Sequence, residues 1–139
     1  MLVNACLVGE NCKYNGKNNK NEKILEFIRD KNVILVCPEV MGGLDIPRLK
    51  SEIVNHSDVV INENGEDVTD FFVKGAKKAL KKALDNDVKL AVLKQKSPSC
   101  GYKKIYNGKF NGTIINGNGI FARMLEERKI KILTEEDFS

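Results

Sequence analysis

Short apolar runs alternating with helix-patterned segments constrain this chain more than any other feature of it. Residues 2–7, 33–36, 88–93 and 130–133 are dense in Val, Ile, Leu and Ala, and each is bounded by polar or turn-forming residues. Runs of that length read as strands. Between the first two lies EKILEFIR at 22–29, where Ile24, Leu25, Phe27 and Ile28 recur at helical spacing. Val33–Val36 carries no polar alternation, as expected of a strand buried in a parallel sheet. A second helix is expected over 69–85, with Thr69 as its N-cap and Phe72, Gly75, Ala76, Ala79, Leu80 and Ala83 as its packing face. A third is expected over 120–128. Strands alternating with helices imply an α/β fold: one Rossmann-like domain over 1–139, with a mainly parallel sheet and helices on both faces. Two further short strands, 51–55 and 59–62, precede the Asn64-Gly65 turn.

Three of the four cysteines follow these strand runs. Cys6 comes at the end of the first, Cys37 directly after the second and Cys100 in the loop after the third. In an open parallel sheet the carboxyl ends of the strands share one edge, and ligands bind there where the strand order reverses. The three thiols are therefore expected in one pocket. Their spacing fits neither a zinc finger nor the compact runs of a ferredoxin. Three protein ligands to a four-coordinate centre leave one position open for a substrate. The plainer alternative treats each thiol as a small buried hydrophobe. Cys12, in the first loop, is either a fourth ligand or an incidental thiol.

The flanks of these cysteines carry further chemistry. Glu39 lies two residues past Cys37, and Ser97 and Ser99 precede Cys100. A carboxylate and a hydroxyl beside an electrophilic centre serve as base and donor. Against that, Glu39 also fits a solvated loop and Ser97 a turn cap at Pro98. Arg48 is suited to clamping a planar or anionic ligand. His56, the only histidine, has no supporting neighbours, and Gly117-Asn118-Gly119 reads as a turn before a helix.

Composition narrows the classes. The hydrophobic share of 42% and charged share of 30% are those of an ordinary globular chain. No apolar run approaches the roughly 18 residues of a membrane span, and residues 1–8 lack the basic flank of a signal peptide. A cytoplasmic setting is expected, where thiols serve as metal ligands or catalytic groups more often than in disulfides. The net charge of +4 is spread, with Lys77, Lys78, Lys81 and Lys82 reading as a solvated helix face, so nucleic-acid binding is not expected.

Several motifs together resemble the thiouracil desulfidase family (domain of unknown function 523). They are ACLVG at 5–9 with KYNG at 13–16, CPEVMGGL at 37–44 with Pro47-Arg48, and GEDVT at 65–69. LKQKSPSCG at 93–101, NGKF at 107–110 and GNG at 117–119 complete the series. They run in the family's order over almost the whole chain. The resemblance implies a 4Fe–4S cluster held by Cys6, Cys37 and Cys100, with the fourth iron free and Cys12 not required. It implies Glu39 and Ser97 as catalytic groups; Arg48 and Ser99, from their own chemistry, are expected toward the substrate. The implied reaction is non-redox desulfuration of a thiolated pyrimidine, a small base or nucleoside, with release of sulfide. Asn4, Lys13 and Asn15 depart from the serine, arginine and aspartate usual in the family. Two other readings stand beside this one: a structural zinc or iron–sulfur module closed by all four cysteines, and persulfide transfer through Cys100.

Overall fold

The computed structural model describes residues 1–138. Four parallel strands form the central sheet: β1 (Leu2–Asn4), β2 (Ile34–Val36), β5 (Leu90–Leu93) and β8 (Lys131–Thr134). Their spatial order is β2-β1-β5-β8, with Val3 opposite Leu35 on one side and Val92 on the other. The order reverses between β1 and β5, because the chain moves outward to β2 first and later to β8.

Alternating side chains give the sheet two apolar faces. Val3 and Val92 pack with Ile24 of α1 (Glu22–Ile28), and Phe27 and Phe138 meet edge to face at 5.0 Å. Leu2, Ala91 and Leu93 pack on the other face against α3 (Thr69–Asp85) and α4 (Ile120–Glu127). Helices thus cover both faces, as the alternation of elements predicts. Two antiparallel hairpins lie apart from this sheet. β3 (Ser51–Ile53) pairs with β4 (Val60–Asn62), and β6 (Ile105–Tyr106) with β7 (Ile114–Ile115). Among the described residues no helix is long and apolar enough to cross a membrane.

Four local expectations need correction. The first strand stops at Asn4 rather than at residue 7, because Ala5–Val8 tightens into a 3-10 turn closed by Gly9 at φ 103°. That turn lifts Cys6 off the strand line. β2 is an edge strand, not a doubly buried one, and Leu35 faces solvent. Thr69 is the first helical residue rather than a cap; its hydroxyl oxygen accepts from the Val60 amide at 2.9 Å and its own amide donates to Asp67. The strand expected over 88–93 begins only at Leu90, because the Val88 amide is taken by Ala83 at the end of α3.

One short helix was not legible in the periodicity. α2 (Pro38–Met41) follows β2 directly, with Cys37 at its N-cap position and Pro38 opening it. It packs on α3 through two glycines. A Cβ on Gly75 would lie 1.7 Å from the Pro38 carbonyl oxygen, and one on Gly42 would lie 1.9 Å from that of Phe71. Backbone therefore meets backbone at the point where Cys37 and Glu39 are positioned.

Candidate active site

The carboxyl ends of β2, β1 and β5, three neighbours in the sheet, open into a cavity of about 480 Å³. Cys6, Cys37 and Cys100 all line it, as do Cys12, Glu39, Arg48, Ser97 and Ser99. Every residue singled out in the sequence for chemistry is thus brought to one place. His56 is exposed and outside it.

Each cysteine is held by a different local device. Cys6 rides the 3-10 turn after β1, and the Asn19 amide group donates to its sulfur at 3.5 Å. Cys37 caps α2, with its thiol directed to the Cys12 carbonyl at 3.7 Å. Cys100 is 2% exposed and sits in a loop fixed from two sides. Ser97 Oγ accepts from the amides of Ser99 (3.2 Å) and Cys100 (2.8 Å). The first amides of α4 donate to the carbonyls of Pro98 and Ser99 at 2.8–3.1 Å. Gly119 lies so close that a Cβ there would meet the Ser99 carbonyl carbon at 2.4 Å. The Gly117–Gly119 segment is therefore a packing turn, and the helix end it opens is satisfied by the Cys100 loop.

The thiols differ in acidity. The Cys12 thiol beside Cys37 brings that group down from 9.0 to about 7 against the opposing effect of burial, with the Val40 amide assisting. Cys12, followed by Asn19, also holds Cys6 below the usual thiol range. Cys12 itself is pushed far up, first by Cys37 and then by Cys6. Burial pushes Cys100 up as well.

Beside the thiols runs a polar chain. Glu39 Oε1 accepts from Arg48 Nε at 3.2 Å, and Oε2 accepts from the Ser99 hydroxyl at 3.1 Å. Ser99 Oγ lies 3.3 Å from Ser97 Oγ. Arg48 also donates to the carbonyls of Asp45 (3.2 Å) and Cys12 (3.0 Å). It therefore ties the first loop, the α2 exit and Glu39 into one unit, and its side chain is only 8% exposed. Ser97 Oγ already receives two amide protons, which leaves its own O–H as its remaining polar contact.

The outer wall was not anticipated. Tyr14, Tyr106 and Phe110 line it, with the ammonium groups of Lys13 and Lys50 within 5.8 and 5.3 Å of the Tyr14 ring centre. Glu52, 7% exposed, accepts through Oε1 from the amides of Gly108 (3.0 Å) and Phe110 (3.1 Å). It pins the loop between β6 and β7 over the cavity. A lone acid in a three-residue strand gives no signal of this in sequence. Among the described residues no three Cys, His, Asp or Glu side chains converge as ligands of a single metal ion.

Fold and cavity together define an α/β protein whose site is a thiol cluster flanked by a carboxylate and two hydroxyls, at a reversal of strand order. Residues 1–137 match the family profile described as 2-thiouracil desulfurase. A protein of Bacillus subtilis (strain 168), YbbK, described as uncharacterized, is 35% identical over 147 residues, covering 100% of this chain and 97% of its own length. A solved structure described as the 4Fe–4S-dependent thiouracil desulfidase TudS superposes with a TM-score of 0.91 at 35% identity, over 99% of this chain and 91% of that one. The chain belongs to the 2-thiouracil desulfurase family.

Proposed function

We propose that this chain is a single-domain, 4Fe–4S-dependent desulfidase that converts the thiocarbonyl of a small thiolated pyrimidine base or nucleoside to a carbonyl and releases sulfide. The observation that carries the reading is the arrival of Cys6, Cys37 and Cys100 in one cavity with the Glu39 carboxylate on its wall. The donor set fits such a group. Three thiols on separate loops around one cavity can each serve as a thiolate ligand to one iron of such a cluster. The lowered pKa values of Cys6 and Cys37 favour the ligating thiolate form. The solved relative's description names the same cluster.

When bound through Cys6, Cys37 and Cys100, the cluster supplies an open iron, a thiophilic Lewis acid toward the thiocarbonyl sulfur. The remaining work falls to the chain. Glu39 takes a proton from a water that attacks the thiocarbonyl carbon. Arg48 aims that carboxylate by donating to Oε1, and the Ser99 hydroxyl steadies its second oxygen. Ser97, with its oxygen spent on two amides, turns its O–H to Ser99 Oγ and offers it to the water or the substrate when either is bound. Arg48 and Ser99 bound the substrate's polar side, while Tyr14, Tyr106 and Phe110 offer faces for a planar ring. Water contributes the oxygen, sulfur departs as sulfide, and no electrons change hands.

The test is Glu39→Gln in anaerobically reconstituted protein, with cluster content matched to wild type. Sulfide release from 2-thiouracil falls by roughly 10²-fold or more, as expected on removal of a general base; a wild-type rate would exclude Glu39 from that role. A second reading, a closed site with four cysteine ligands, is favoured by the contact of Cys12 with both Cys6 and Cys37. Cys12→Ala separates the two: the open site keeps its cluster and activity, and the closed site loses its cluster.

A further inference from the structure

Asn4 ends β1 on the floor of the cavity and is 4% exposed. Its Oδ1 accepts from the Lys94 amide at 2.7 Å, just past the end of β5. A backbone N–H can only donate, so the oxygen must face Lys94, and the orientation of the carboxamide is settled. The NH2 end is thereby turned the other way. Asn4 Nδ2 is buried and has no hydrogen-bond partner; among the described residues it is the single buried side-chain nitrogen or oxygen in that position. An unserved buried donor is costly, and native folds rarely leave one without a use.

Cys100, 2% exposed, lines the same cavity. Asn4 lies near enough to act on that thiol as a hydrogen-bonding neighbour, opposing the effect of burial. As a neutral thiol, Cys100 is a poor acceptor. As a ligand it has lost its proton and carries negative charge, which makes it a strong one. The amide is thus without a partner here and acquires one when the sulfur ligates.

We propose that Asn4 is a positioning residue for the cluster: its Nδ2 donates to the Cys100 sulfur when that sulfur ligates iron, raising the cluster's reduction potential and slowing its loss. This rests on the reading of Cys100 as a cluster ligand. Hydrogen bonds to the sulfurs are among the levers that set the potential of such clusters, and partners of metal ligands govern metal retention. The carboxamide offers an acceptor and a donor at once. It spans from the Lys94 amide to the Cys100 sulfur, holding β1 to the β5 exit with one end and the ligand with the other.

The experiment compares wild type with Asn4→Val, Asn4→Ala and Asn4→Ser, each anaerobically reconstituted. Two quantities are read: the midpoint potential from a redox titration followed by electron paramagnetic resonance, and the rate of iron release to a ferrous chelator. Val suits the strand and Ala is small, so at least one donorless variant is available should the other not fold. Both donorless variants move to more negative potential and release iron about tenfold faster, while Asn4→Ser recovers part of each change. A folded donorless variant with wild-type potential and wild-type iron release overturns the proposal and leaves Asn4 as a backbone tie to Lys94 only. Wild-type protein that takes up no cluster overturns the underlying assignment instead, and the proposal falls with it.

Discussion

Gly75 offers a sharp test of how the fold positions the site, because helix propensity and packing predict opposite signs. It lies inside α3, where replacing glycine by alanine ordinarily stabilises by about 1 kcal/mol. Here the added Cβ would stand 1.7 Å from the Pro38 carbonyl oxygen, 2.8 Å from its carbon and 2.9 Å from the Gly42 nitrogen. All three are backbone atoms of α2 or its end, so no side chain can swing aside. Relief requires α2 to retreat by well over an ångström. Overpacking costs roughly 1–3 kcal/mol where side chains can adjust, and a backbone clash belongs at the top of that range. The net effect of Gly75→Ala is a loss of about 2 kcal/mol, which for a chain of this size lowers Tm by about 6–8 °C. Thermal unfolding of the cluster-free protein by circular dichroism reads it directly. Pro38 lies between Cys37 and Glu39, so cluster uptake falls as well. An unchanged or raised Tm would refute the claim that α2 is seated on α3 backbone to backbone.

Two further outcomes follow from the site. In reduced, cluster-free protein, iodoacetamide labels Cys37 ahead of Cys100. Its rate climbs as pH rises through about 7, since the thiolate is the nucleophile and Cys37 has been brought down to that value while burial pushes Cys100 up; peptide mass spectrometry across pH 6–8 checks it, and prior labelling of Cys100 contradicts it. Glu52→Ala strips the amides of Gly108 and Phe110 of their acceptor, at a cost of about 1–2 kcal/mol. Amide exchange in the β6–β7 loop then speeds up and KM rises more than kcat falls; unchanged exchange would show that Glu52 does not hold the loop.

The central sheet was legible because its strands are short apolar runs between turns, and strand ends told where ligands gather. That logic found Cys6 and Cys37 directly. It found Cys100 less directly, since six residues separate that thiol from Leu93 and only the Ser97 turn and the α4 end bring it back. α2 and the β6–β7 hairpin escaped because four-residue and two-residue elements carry no measurable period. The short β1 escaped because Ala5–Val8 is as apolar as a strand, and only Gly9 hints at the turn. Asn4, Glu52 and Arg48 as tie points depend on partners 90, 56 to 58, and 9 to 36 residues away, respectively. No local pattern encodes such pairings. The resemblance carried by CPEVMGGL and LKQKSPSCG supplied the cluster and substrate class, which periodicity alone could not.

The most direct test of the central claim is the iron and acid-labile sulfide content of the chain after anaerobic purification, read with its visible spectrum and its sulfide release from 2-thiouracil. An open cluster on Cys6, Cys37 and Cys100 predicts about four iron and about four sulfide per chain, a broad visible absorption from iron–thiolate charge transfer, and activity that persists in Cys12→Ala. A colourless, iron-free chain that still desulfurates thiouracil would contradict it.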